Sequence, residues 1–180
     1  MGYLDVLHNH ITHDTQWLEW SKITKELSRN NPDSKFNCDH GINHWLAVAK
    51  NAQEFARRAN ADKHTIALAD VSSLLHDCGL ICGNDYHAKH GANIARAFLR
   101  GHRLLSPLLD DDDIRIICHA IAQHSDGNEI SNIVDAAVLF ADKIDVTKNR
   151  ALKTDDPITY EVAKIQTVNY TITDETLTVQ

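Results

Sequence analysis

Apolar residues recur at steps of three and four along most of the chain, and this spacing predicts helices. In residues 15–29, for example, Trp17, Trp20, Thr24 and Leu27 fall on one face. Asn30–Asp33, "NNPD", breaks this pattern, and Asp62 is placed to cap a later helix. The predicted helices cover about 15–29, 40–60, 63–77, 86–100, 114–124 and 131–149.

The last part of the chain follows a different pattern. Val168, Tyr170 and Ile172 alternate with polar residues, and Leu177 and Val179 do so again after "TDET". Alternation of β-branched and aromatic residues on either side of a turn predicts a β-hairpin, here with its turn at 174–175. The fold is therefore predicted to be an all-α helical bundle with a small C-terminal β-hairpin, whose outer edge is a candidate contact for a homo-oligomer.

Charge and hydropathy restrict the partners. The 180 residues include 18 Lys and Arg and 25 Asp and Glu, a net charge of -7, which argues against a nucleic-acid surface. No run of 18 apolar residues predicts a membrane span, the start lacks a signal-peptide pattern, and the four cysteines form no CxxC pair. We therefore expect a cytoplasmic protein with reduced thiols, no membrane and no nucleic acid. A small phosphorylated substrate stays compatible, because a bound metal can supply positive charge locally.

The segment "SLLHDCGL", residues 73–80, leads from apolar residues directly into His76 and Asp77. A buried charge is costly unless it is paired or ligated, so this pair is either a metal site or, for Asp77, a helix cap. His44 begins an apolar stripe and is either a core histidine or a ligand. Asp142 continues the stripe of 134 and 138. Either a salt bridge with Lys143 or Arg150 or a metal would explain its inward position, and a metal explains it better.

Three segments together resemble one known family. "HWLAVAKNAQEFA", "LLHDCG" and "LFADKID" are similar to the HD superfamily of metal-dependent phosphohydrolases, and the likeness covers 39 to about 150. It implies an HD-type helical core at 37–152, between an N-terminal helical segment, 1–36, and a tail, 153–180. The resemblance also implies a divalent cation, Fe, Mn, Zn or Mg. Its ligands would be His44, His76, Asp77 and Asp142.

Some members of that superfamily carry two further histidine ligands and hold two ions rather than one. "HAKHGANIA" offers His87, which an ungapped comparison favours, or His90, which periodicity also allows. In "IRIICHAIAQH", His124 lies on the buried stripe, whereas His119 lies about 140° away from Ile114 around the helix. The expected six-ligand set therefore adds His87 and His124.

These ligands suggest further roles. Asp77 would bridge two ions and orient or deprotonate a water. Lys143 directly follows a ligand and Arg150 lies beyond it, so both are candidate phosphate contacts; the alternative is a surface charge on the last helical turn. His40 and His90 would line the substrate side. Many HD members carry Lys where this chain has Leu80, so a phosphate contact from that position is lost.

The resemblance leaves function classes open. The leading one is hydrolysis of a phosphate ester or anhydride in a small nucleotide-like molecule. The alternatives are a di-iron oxygenase of the same fold and a metal-binding, ligand-sensing module without catalysis. The cluster "HNHITHD", residues 8–14, lies outside the likeness and is expected to be solvated, before the first helix.

Overall fold

Seven helices and a short strand pair make up the part of the chain that the structure describes. This structure is a computed structural model, and it describes residues 2–30, 38–127, 129–146, 150, 164–166, 168–172 and 177–179. The helices are α1 (Tyr3–Thr12), α2 (Thr15–Asn30), α3 (Ile42–Arg58), α4 (Lys63–Leu75), α5 (His87–Gly101), α6 (Asp111–Gln123) and α7 (Ile133–Ile144), with a 3₁₀ helix at Cys78–Cys82. The all-α fold predicted from the sequence is confirmed.

Helix α4 forms the centre of the bundle, because every residue from Ile66 to Leu75 is buried. Helices α1, α3, α6 and α7 all pack against it. By length and mean hydropathy alone, Lys63–Cys82 would match a membrane span, but 83% of its apolar 18-residue stretch is buried inside the protein. Its apolar surface is therefore used within the bundle.

Close backbone contact brings the start of α5 beside the end of α4. A methyl group on Gly79 would overlap the backbone of His87 and Gly91, and one on Gly91 would lie 3.2 Å from the His76 carbonyl. Only glycine fits at position 79, whereas a larger residue at position 91 would require its neighbours to shift slightly. The close approach at Gly79 thus places His87, at the start of α5, against the turn that follows His76.

The N-terminal region departs from the sequence expectation. Residues 8–14 do not precede the first helix as a solvated cluster, since Tyr3–Thr12 is itself helical and buries Leu7 and Ile11. The Nδ1 atom of His8 lies 3.0 Å from Oδ2 of Asp70, a carboxylate buried in α4. This segment folds against the core because Leu7 and Ile11 bury apolar side chains one turn apart, and because His8 gives the buried charge of Asp70 a partner.

Several helices end earlier than the periodicity predicted. Helix α3 ends at Arg58 rather than 60, α4 at Leu75 rather than 77, and α7 at Ile144 rather than 149. Residues 147–149 lie outside the described residues. Helix α6 begins earlier than 114 because Asp110 caps it, and the Asp110 side chain accepts a hydrogen bond from the backbone N–H of Asp113.

The predicted β-hairpin is present. Strand β1 (Tyr170–Ile172) pairs antiparallel with β2 (Leu177–Val179), with Tyr170 opposite Val179. The Tyr170 ring packs 4.8 Å from that of Phe140, and the Arg58 guanidinium lies 4.5 Å above it. The predicted turn at 174–175 lies outside the described residues, and the role of the hairpin in oligomers stays a prediction.

Candidate metal centre

Four side chains converge where α3, α4 and α7 meet. Nε2 of His44 lies 3.1 Å from Nε2 of His76, 3.4 Å from Oδ2 of Asp77 and 3.3 Å from Oδ1 of Asp142. Nε2 of His76 lies 3.3 Å from the same Asp77 oxygen and 3.8 Å from Asp142 Oδ1. We refer to these four atoms as the first donor group.

The other oxygen of Asp77 faces a second set of nitrogen atoms. Its Oδ1 lies 3.4 Å from Nε2 of His124 and 3.7 Å from Nε2 of His87. The two imidazole nitrogens are 3.2 Å apart. These three atoms form the second donor group, so that a single carboxylate is shared between the two groups.

Each of the four imidazoles is oriented through its Nδ1 atom. The partners, at 2.7–3.0 Å, are Oδ2 of Asp145 for His44 and the carbonyl oxygens of Ser73 for His76, Asn84 for His87 and Ile121 for His124. Carbonyl and carboxylate oxygens only accept, so Nδ1 carries the hydrogen in every case. Nε2 of each ring therefore points inward, and it offers a lone pair to a cation where the ring is neutral, as in metal-binding histidines.

These donors fit divalent cations. Two ligand atoms about 2.1 Å from one cation lie about 3.0 Å apart at a right angle and about 3.4 Å apart at the tetrahedral angle. Most of the spacings within each group match these values. Oδ2 of Asp77 is buried without a hydrogen-bond partner among the described residues, which a cation would remedy. Imidazole and carboxylate donors suit Fe, Mn and Zn, and Mg among harder ions.

Neighbouring protein groups alone shift the pKa values of the side chains in the centre. Burial by itself lowers the pKa of His44, and Arg150 adds to this, but three neighbouring carboxylates together raise it to about 10. Without a cation, Nε2 of His44 therefore holds a proton, which a bound cation would displace. Burial raises the pKa of Asp77, yet His76, His124 and His44 hold it well below its usual range. Both carboxylates of the centre, Asp77 and Asp142, thus stay ionised, as cation ligands must be.

The structure places the predicted phosphate contacts at one side of the first donor group. Nζ of Lys143 lies 3.1 Å from Oδ2 of Asp142, and its side chain is 55% exposed. Arg150 is buried, and its Nη1 donates to the carbonyl of Asp145 and lies 3.9 Å from Oδ1 of Asp142. The alternative interpretation of Arg150 as a surface charge is therefore wrong.

The other predicted residues divide between the centre and the surface. The ring of His40 lies 5.6 Å from that of His44, centroid to centroid. His90 is exposed, and no contact between described side chains joins it to either donor group. His119 bonds the buried Asp135 at 3.0 Å. The structure thus brings His87 and His124 to the centre, and the role of His90 toward a substrate stays a prediction.

Asp145 is the residue that the sequence interpretation left without a role. Its carboxylate orients His44 from a buried position, and its backbone carbonyl holds Arg150. Asp145 follows Asp142 by three residues on the stripe that includes Val138, which was the available signal. The alternative interpretation of Asp77 as a helix cap is wrong, because Asp77 precedes the 3₁₀ helix but its side chain makes no capping hydrogen bond.

Comparisons with known proteins identify the family. The sequence model of the HD domain family matches residues 41–162, more than half of the chain. No curated protein matches the sequence. A crystal structure described as a predicted HD superfamily hydrolase, from an uncultured Thermotogales bacterium, aligns with a TM-score of 0.50 and 21% identity over 81% of this chain and 83% of that one, a similarity of fold. The chain belongs to the HD domain family.

Proposed function

We propose that this protein is a metal-dependent phosphohydrolase, which cleaves a phosphate ester or anhydride of a small nucleotide-like substrate with an activated water. The shared carboxylate of Asp77 is the observation that carries the proposal. Its two oxygens face two separate donor groups within 3.7 Å. Such an arrangement suits a pair of divalent cations, which supply a lowered water pKa and charge for the phosphate oxygens.

Asp77 orients the attacking water in this proposal. The surrounding histidines hold the pKa of Asp77 well below its usual range, so the carboxylate is a weak base. A weak base contributes more by accepting a hydrogen bond and fixing direction than by removing a proton. His44, held by Asp145, keeps the first donor group in place during that step.

Lys143 and Arg150 bind the transferred phosphate in complementary ways. The exposed ammonium of Lys143 is able to leave Asp142 and follow a phosphate oxygen. The buried guanidinium of Arg150 is held by Asp145 and offers a fixed charge. Fixed and adjustable cations beside a metal centre stabilise charge that develops in the transition state. They also explain how a chain of net charge -7 accepts an anionic substrate.

Phosphate release is the direct test. Protein loaded with Mn or Fe is incubated with mono-, di-, cyclic and dinucleoside phosphates, and free phosphate is measured. We expect release from at least one class, and we expect His76→Ala to abolish it. His64→Ala is the matched control, because His64 pairs with Asp113, away from both donor groups. Absence of turnover across all four classes would count against hydrolysis.

Oxygen and metal dependence separate the alternatives. Turnover with Mn or Mg under anaerobic conditions supports hydrolysis and contradicts a di-iron oxygenase, which requires dioxygen. Consumption of oxygen by the iron-loaded protein with a substrate would favour the oxygenase. Ligand binding without turnover in either atmosphere would instead indicate a sensing module.

A further inference from the structure

A cavity of about 270 Å³ lies beside the metal centre, between α2 and the loop that follows the 3₁₀ helix. Its described lining includes Thr24, Leu27, Ser28, His40, Leu80 and Asn84. It lies close to the first donor group, because the ring of His40, in its wall, is 5.6 Å from that of His44, centroid to centroid. Asn84, also in the wall, accepts through its carbonyl from Nδ1 of His87. A molecule in the cavity would therefore lie near the first donor group.

The walls of this cavity are uncharged as far as the structure describes them. Among the described residues that line it there is no Lys, Arg, Asp or Glu. Leu27 is 45% exposed although it is apolar, which leaves a hydrophobic surface facing the open space. A phosphate needs cationic contacts, so this wall suits the organic part of a substrate rather than its phosphate. The volume of the cavity is slightly below the usual range of about 300–1,000 Å³ for ligand pockets, so about one ring system fits in it.

His40 supplies a hydrogen-bond acceptor of known orientation. Its Nδ1 lies 3.0 Å from the carbonyl of Cys38 and 3.0 Å from Oγ of Ser28. The Ser28 hydroxyl donates to the carbonyl of Thr24, so it accepts from His40. The hydrogen of His40 is therefore on Nδ1, and Nε2 on the opposite edge of the ring is an acceptor. A ring N–H or hydroxyl of a ligand is its natural partner.

Leu80 decides the charge at this side of the centre. Its backbone N–H donates to the carbonyl of Asp77 at 3.0 Å, which fixes the residue in the turn directly after the shared carboxylate. A lysine here would bring a positive charge to the edge of the cavity. Leucine instead adds an apolar side chain to the cavity wall, which offers no hydrogen-bond or ionic partner to a charged group.

We propose that this cavity binds an uncharged ring that carries hydrogen-bond donors and acceptors, as a nucleobase does, and that Leu80 selects such rings over charged groups. This inference rests on the proposed function, because it assumes that the phosphate attached to the ring reaches the metal centre. Leu27 and Leu80 pack on the ring, and His40 and Asn84 bind its edge.

Binding of phosphate-free nucleosides tests the cavity without any reaction. Adenosine, guanosine, cytidine and thymidine are titrated into the metal-loaded protein and followed by saturation-transfer NMR. We expect at least one to bind the original protein, and Leu80→Lys to weaken that binding by about tenfold or more. Leu27→Lys changes an exposed helix position and should also weaken nucleoside binding, so it replaces Leu80→Lys in the test if that variant does not fold.

The matched control is Leu104→Lys, the same change at an exposed leucine that does not line the cavity. It should bind the nucleoside as the original protein does. Equal binding by all the variants, or no binding of any nucleoside at millimolar concentration, would overturn the inference.

The two proposals fail separately. Nucleoside binding that depends on Leu80, without phosphate release from any substrate, would leave the cavity established and remove the hydrolase. Phosphate release from simple esters such as methyl phosphate, with no nucleoside bound and no effect of Leu80→Lys, would do the reverse.

Discussion

Replacement of Asp145 by asparagine tests how the metal centre is held. In the present geometry, Oδ2 of Asp145 accepts from Nδ1 of His44 at 2.7 Å, and both side chains are buried. The substitution Asp145→Asn would keep the size of the side chain and one acceptor oxygen, but it would remove the negative charge. The hydrogen bond to the imidazole would be weaker, and Nε2 of His44 would become a poorer donor to a cation.

The expected loss follows from this contact. Removal of a carboxylate that orients a metal-binding histidine typically costs about 10- to 100-fold in metal affinity, or about 1.4–2.7 kcal/mol. Because Asp145 is 5% exposed and His44 is 1% exposed, water cannot replace the lost partner. We expect an effect within that range.

Metal affinity is measured by competition between the protein and a chromophoric chelator for Mn or Zn. The matched control is Asp113→Asn, since Asp113 also lies 2.7 Å from a histidine nitrogen, that of His64, but away from both donor groups. We expect Asp113→Asn to keep the original affinity. Equal affinities for Asp145→Asn and the original protein would refute the assigned role of Asp145.

Three further predictions follow from the contacts. His87→Ala should lose about half of the bound metal measured by elemental analysis, if two ions bind, whereas His90→Ala should keep it all; the opposite result would exchange the two assignments. Chelation should lower the melting temperature by about 5–11 °C relative to protein with metal at about 100 times Kd, because unpaired donors remain buried; an unchanged value would contradict cation binding here. The hydrogen bond between His8 and buried Asp70 raises the pKa of His8. This contact therefore stabilises the fold fully below about pH 6.5, and the stabilisation is lost as pH rises through the raised pKa. His8→Gln should therefore cost more free energy of unfolding at about pH 6 than at about pH 9 in urea titrations, and an equal cost would exclude this linkage.

Local periodicity predicted most of the helices because their buried faces recur within the sequence. Helix α1 was not predicted, although Tyr3, Leu7 and Ile11 recur at steps of four, because polar residues, three histidines among them, surround these few apolar positions. Its packing depends on Asp70, a charge in the middle of an apolar helix. Only the three-dimensional neighbourhood shows that His8 is the partner of this carboxylate.

The candidate centre was accessible from the sequence where a ligand continues an apolar stripe, as His124 and Asp142 do. Spacing alone did not distinguish His87 from His90, because both share a face with Ile94. The close approach of Gly79 to the backbone of α5 favours His87, and this contact joins residues from different elements. Orientation of His44 by Asp145 likewise joins residues 101 positions apart.

The central claim is that Asp77 is shared between two cations, and anomalous X-ray diffraction from crystals grown with Mn tests it most directly. We predict two anomalous peaks, one on each side of the Asp77 carboxylate, the first contacted by His44 and His76 and the second by His87 and His124. A single peak, or none, beside Asp77 would contradict the shared site.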